Sequence, residues 1–73
     1  IYVFDNEPRS KQICSLMMKA IKANKKVCIF PNTLLAKDIN DMAKMRYDVN
    51  YIIHNNVFSG YEAQAQLSYW RKC

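Results

Sequence analysis

The sequence is poor in chain-breaking residues, with one Gly and two Pro in 73 residues. Disordered tails and flexible linkers are rich in such residues. Their scarcity, beside a hydrophobic fraction of 51%, predicts ordered elements joined by brief turns, with no internal repeat, low-complexity stretch or linker. Histidine is almost missing, since His54 stands alone, and no two of the three cysteines have zinc-knuckle spacing. A structural zinc site within the chain is therefore not expected. The cysteine count is odd, and Cys14 and Cys28 fall inside apolar periodic segments. That pattern argues against a disulfide framework and for reduced thiols that pack as small hydrophobes, as in a reducing cytoplasm. No apolar run approaches the roughly 20 residues that span a bilayer, and no signal peptide opens the chain, so no membrane partner is expected. The opening Ile1-Tyr2-Val3-Phe4 is already a strand-like run without an initiator Met, which predicts a piece of a longer protein.

What is present points to a small α/β unit of one domain over residues 1–73. A chain this short buries only about 60% of its unfolded surface, so its core is marginal. Ile1 to Phe4 and Lys26-Val27-Cys28-Ile29-Phe30 are β-branched and aromatic runs, and predict buried strands over about 1–5 and 26–30. Between them Ile13, Cys14, Met17, Ala20 and Ile21 recur at three- and four-residue spacing while Lys11, Lys19 and Lys22 fall on other faces, the mark of an amphipathic helix. Strand, helix, strand in this order predicts a parallel βαβ unit. Three further helices are expected over about 37–45, 49–55 and 60–71. The last opens on a capping box in which Ser59 takes the Glu62 amide, Glu62 reaches back and Phe58 forms a staple.

In a parallel βαβ unit both strands end at one edge, where open α/β folds bind ligands. Asp5 and Glu7 leave the first strand at that edge, and Asp38, after the second strand, can approach them. Clustered carboxylates on rigid supports suit Mg2+, which takes oxygen ligands and stabilises charge in phosphoryl chemistry. The same residues also suit a plainer role as acceptors at helix starts. Arg9 and Lys11 flank the acids and can neutralise phosphates, or serve as solvated surface charge. The formal charge of +5 fits a polyanionic partner, and equally an ordinary soluble basic surface. Tyr47, Tyr51, Tyr61, Tyr69 and Trp70 interleave with Arg46, Arg71 and Lys72, a pattern able to stack bases. Core and cap packing is the better expectation for Tyr51 and Tyr61, and partner docking is one for Trp70. Met17, Met18, Met42 and Met45 are expected to fill core gaps, and His54 to lie on a helix surface or cap.

Val3-Phe4-Asp5-Asn6-Glu7-Pro8-Arg9, Lys37-Asp38-Ile39-Asn40-Asp41-Met42, and Asn55-Asn56 followed by Ser59-Gly60-Tyr61-Glu62-Ala63 together resemble the carboxyl-terminal segment of DNA primases from T-even-type bacteriophages. The resemblance runs over essentially the whole chain. It implies a partial Toprim domain, in which Asp5 and Glu7 fill the Asp-x-Asp metal positions, with Glu in place of the second Asp. It also implies that Asp38 supports the metal and nucleotide site, and that Arg9 and Lys37 face phosphates. Asn40 and Asp41 carry over less directly. The cofactor would be Mg2+, with Mn2+ as a substitute, and zinc would belong to a missing amino-terminal domain. The implied partners are a single-stranded DNA template, ribonucleoside triphosphates and a replicative helicase, in the cytoplasm of the bacterial host. The family's catalytic Glu lies upstream of the Asp-x-Asp strand, so the isolated fragment is expected to be inactive. Two other readings stay open: a non-catalytic basic module that binds DNA or a helicase, and another Toprim enzyme such as a nuclease or topoisomerase. Loss of neighbouring strands predicts self-association of the isolated piece.

Overall fold

A computed structural model describes all 73 residues. In chain order the elements are β1 (Tyr2–Val3), α1 (Lys11–Lys22), β2 (Val27–Cys28), α2 (Ile39–Lys44), α3 (Val49–His54), β3 (Val57–Phe58) and α4 (Gly60–Trp70). The strands form one sheet in the order β1-β2-β3, parallel between β1 and β2 and antiparallel between β2 and β3. The expected βαβ unit is therefore present, with Tyr2 opposite Val27 and Val3 opposite Cys28. Its paired segments are shorter than the expected 1–5 and 26–30.

β2 organises the core because it is central and covered on both faces. Val27, Cys28, Ile29 and Phe30 are all essentially inaccessible, and side chains along an extended chain alternate between faces. Val27 and Ile29 join Met17 and Ile21 of α1 and Leu67 and Trp70 of α4 in one cluster. Cys28 and Phe30 join Ala36 and Met42 in the second, against which Val49, Ile52 and Ile53 of α3 pack. Helices thus cover both sides of the sheet, and a continuous apolar run in β2 is what that arrangement requires.

The helix boundaries follow their caps. Ser10, Asp38 and Asp48 cap α1, α2 and α3, their side chains accepting the amides of Ile13, Asp41 and Tyr51. Helix α1 closes with Asn24 at φ 61°, its amide reaching the Ile21 carbonyl while the Lys25 amide reaches Ala20. Arg46 at φ 64° closes α2 in the same way, with its amide on Ala43 and that of Tyr47 on Met42. These pairs are the two bonds of a left-handed helix stop.

Several expectations are corrected. Val57–Phe58 forms a strand that the sequence does not predict, in place of the expected Phe58 staple. Two residues carry no readable alternation, and only the open side of β2 makes them a strand. Ser59 starts α4 but makes no side-chain cap. Gly60 at φ 58° turns the chain between Ser59 and Glu62, which breaks the geometry of a capping box. Trp70 is buried and not a docking residue, whereas Tyr51 and Tyr61 are exposed and not packed. Met17 and Met42 fill the core as expected, Met18 is half-buried, and Met45 is exposed. His54 ends α3 on the surface, its Nδ1 2.7 Å from the Asn50 carbonyl oxygen. No helix is long and apolar enough to cross a membrane.

Candidate functional site

The loop after β1 is held by Asn6, the residue between the two acids. Its amide nitrogen donates to the carbonyls of Leu34 and Ala36 at 2.9 Å each, and its Oδ1 accepts Trp70 Nε1 at 3.1 Å. The Asn6 backbone N–H donates to the Lys37 carbonyl at 2.7 Å. One side chain therefore ties the end of β1 to the segment after β2 and to the end of α4. These bonds satisfy an indole N–H and two carbonyls that folding removes from water. Glu7 N–H then donates to the Asp5 carbonyl and Ser10 N–H to Glu7, so the acidic loop is a tight turn leading into the Ser10 cap of α1.

Through this anchoring, Asp5 and Asp38 come to line one groove of about 260 Å³, together with Val3, Phe4, Ile39 and Asn40. Asp38 spends one carboxylate oxygen on the Asp41 amide at 2.8 Å and keeps the other for a second partner. Asp5 is exposed and makes no side-chain hydrogen bond within the fold. The donor set of this groove, two carboxylates and an amide side chain, suits a hard cation that retains several waters.

Glu7 goes elsewhere. Its Oε1 lies 3.1 Å from Lys37 Nζ, with side-chain exposures of 34% and 65% respectively. The contact raises the Lys37 pKa, first through the hydrogen bond and then through the charge of Glu7. An ion pair this open is worth roughly 0–1 kcal/mol, so it yields readily to a stronger partner. Glu7 lines a second, polar groove of about 390 Å³ with Pro8, Arg9, Ser10 and Lys72. The site predicted from sequence is thus divided: Asp5 with Asp38 on one side, Glu7 with Arg9 on the other, and Lys37 paired to Glu7. No group of three acidic, His or Cys side chains converges where it could hold one ion, so the expected triad of Asp5, Glu7 and Asp38 is not assembled in this arrangement.

Asn6 carries no role in the reading from sequence, and Lys72 is read there only as a cation among aromatic residues. The available signal for Asn6 was its place inside a Asp-x-Glu turn after a buried strand, where a short amide can satisfy several backbone groups at once. Lys72 had none, because its approach to the acidic loop depends on its N–H donating to the Pro8 carbonyl at 2.7 Å. No protein-family model matches this chain, and no curated protein matches it. The functional reading therefore rests on the resemblance carried by the Asp5–Arg9, Lys37–Met42 and Asn55–Ala63 stretches, together with the placement of their residues.

Proposed function

We propose that this chain is the carboxyl-terminal part of a Toprim-type catalytic domain of a DNA primase, whose complete form synthesises RNA primers on single-stranded DNA by Mg2+-dependent nucleotidyl transfer. The reading comes from the resemblance of the three strings, and the observation that supports it is the groove lined by both Asp5 and Asp38, two acids far apart in sequence. In this proposal Asp5 and Asp38 supply direct carboxylate ligands. Glu7 joins them by releasing Lys37, a small cost for an exposed pair. Arg9 and the freed Lys37 then face the triphosphate of the incoming ribonucleotide, where their charge offsets that of the phosphates. A bound magnesium ion supplies charge stabilisation to phosphoryl transfer. Asn6 acts by position, fixing the loop that carries both first-strand acids.

Magnesium titration followed by amide NMR tests the reading on the chain itself. Shifts confined to residues around Asp5, Asp38 and Asn40, and lost in Asp38→Asn, are expected. Uniform or absent shifts at millimolar magnesium would sink it. In a longer parent chain, Asp5→Ala is expected to abolish primer synthesis.

A second reading, a non-catalytic module that binds nucleic acid, is favoured by a different observation. Tyr47, Tyr51, Tyr61 and Tyr69 are all exposed, and exposed aromatic rings beside cations can stack unpaired bases. That module would respond to an oligonucleotide and be indifferent to magnesium.

A further inference from the structure

Cys14 and Cys73, at opposite ends of the sequence, meet in space. Their sulfurs are 3.5 Å apart, the contact distance of two thiols. Cys14 sits on the inner face of α1 and is 1% exposed, whereas Cys73 is exposed. Two backbone features hold the encounter. The Lys72 N–H donates to the Pro8 carbonyl at 2.7 Å, and the same carbonyl takes the Cys14 thiol at 3.7 Å. The segment after α4 is therefore already laid against the start of α1 before any covalent link exists.

We infer that Cys73 and Cys14 form an oxidative modification site, a dithiol that closes to an intramolecular disulfide when the chain meets a peroxide. The chemical division of labour follows from exposure. Cys73 faces solvent beside Arg71, whose Nη2 lies 3.7 Å from its sulfur. Contact with the Cys14 sulfur and then with the Arg71 guanidinium lowers the Cys73 pKa, with Lys11 contributing. The thiolate is the reactive form of cysteine, so Cys73 is the attacking sulfur. Burial is the first cause that raises the Cys14 pKa, so Cys14 waits as the resolving thiol.

In the first step the Cys73 thiolate attacks one peroxide oxygen. An S–O bond forms, the O–O bond breaks, and the departing hydroxide takes a proton to become water. Cys73 is now a sulfenic acid. In the second step the Cys14 sulfur attacks the Cys73 sulfur and gives up its proton. The S–S bond forms, the S–O bond breaks, and hydroxide leaves with that proton as a second water. Two thiols have lost two electrons to one peroxide. The sulfurs must close from 3.5 Å to about 2.0 Å, a movement the exposed Cys73 side chain can supply. Cys28 takes no part, being inaccessible within the second core cluster.

The site does not depend on the primase reading, and its consequence is mechanical. Closing the bond removes the thiol proton that Pro8 accepts and fastens the post-α4 segment to α1, next to the groove of Glu7 and Arg9.

The test exposes the intact chain to stoichiometric hydrogen peroxide and maps it by mass spectrometry without reduction. Expected are a loss of two hydrogens, a peptide pair joining Cys14 to Cys73, and a Cys28 that stays alkylatable after denaturation. Dithiothreitol should restore the starting mass. Cys73→Ser should abolish the loss, and in Cys14→Ser the reaction should stop at a Cys73 sulfenic acid that dimedone traps. Because Cys14→Ser alters the core, the wild-type map is repeated in denaturing urea. There the cross-link yield should drop about tenfold or more, since closing so long an unfolded loop is entropically unfavourable. Disulfide-linked dimers through Cys73 with Cys14 free, over-oxidation of Cys73 alone, or an equal yield in urea would each overturn the assignment.

Discussion

Asn6 has more to do in this fold than either acid beside it. Its three side-chain hydrogen bonds join the end of β1 both to the segment after β2 and to the end of α4. Asn6→Ala leaves an indole N–H and two carbonyls without partners, and should destabilise the chain by about 2–4 kcal/mol in urea denaturation. Asp5→Ala, at an exposed residue without a side-chain bond, should fall within about 0.5 kcal/mol of wild type. That contrast separates two adjacent residues by how much the fold depends on each. Cys28 offers a second test at this scale, because burial pushes its thiol from 9.0 to about 11. A raised pKa means that the folded state favours the protonated thiol. Its stabilisation is complete below pH 9 and is lost as pH rises through about 11, a difference of about 2–3 kcal/mol by linkage. Cys28→Ala should lose this part of the alkaline slope, read as the wild-type minus variant stability across that range.

Among the elements, the helices were the most legible feature and the short strands the least, although of the four helix starts only the Asp38 cap was read correctly and the Ser59 capping box did not form. Asp38 and the helix it begins could be seen in Lys37-Asp38-Ile39-Asn40-Asp41, because an Asp ahead of an apolar period answers the free amides of a first turn. Helix ends carry their own signals in this chain, and Arg46 shows one that costs stability. It occupies the left-handed position at the end of α2 with φ 64°, where a side chain is strained and Gly is favoured. Arg46→Gly should raise stability by about 0.5–1 kcal/mol in thermal or urea unfolding. Gly60→Ala tests the converse. Nothing lies within 4 Å of an added Cβ, so the cost is purely backbone strain, about 1 kcal/mol. The strand β3 had no comparable signal, because two residues exist as a strand only through their partners, Phe58 opposite Val27 and Val57 opposite Cys28.

At the scale of the whole molecule the charge is unevenly spread. Residues 8–36 contain no acid and carry Arg9, Lys11, Lys19, Lys22, Lys25 and Lys26, while all six acids lie in the rest of the chain. The surface of α1 and the turn after it is consequently a cationic band, and the groove of Asp5 and Asp38 sits outside it. A polyanion should engage the band first. If Lys19, Lys22, Lys25 and Lys26 each neutralise one phosphate of a single-stranded oligonucleotide, the logarithm of the binding constant should fall against the logarithm of salt with a slope near −3. Lys19→Glu with Lys22→Glu should weaken binding and flatten that slope, as read by fluorescence anisotropy across a salt series.

The sequence by itself determined the βαβ unit, the four helices and the acids at the end of the first strand. Hydrophobic periodicity and capping are local, and a few neighbouring residues suffice to express them. Only the tertiary structure decided the third strand, the burial of Trp70, and the meeting of Cys14 with Cys73. It also decided how the candidate site divides, sending Asp5 to Asp38 and Glu7 to Lys37. Those outcomes depend on which distant groups must satisfy one another once the chain has left water: an indole N–H that needed an acceptor, an open sheet edge that needed a partner, and a carboxylate that found a lysine. No spacing along the chain encodes such pairings, because each is chosen by what remains unpaired after the helices have packed on β2.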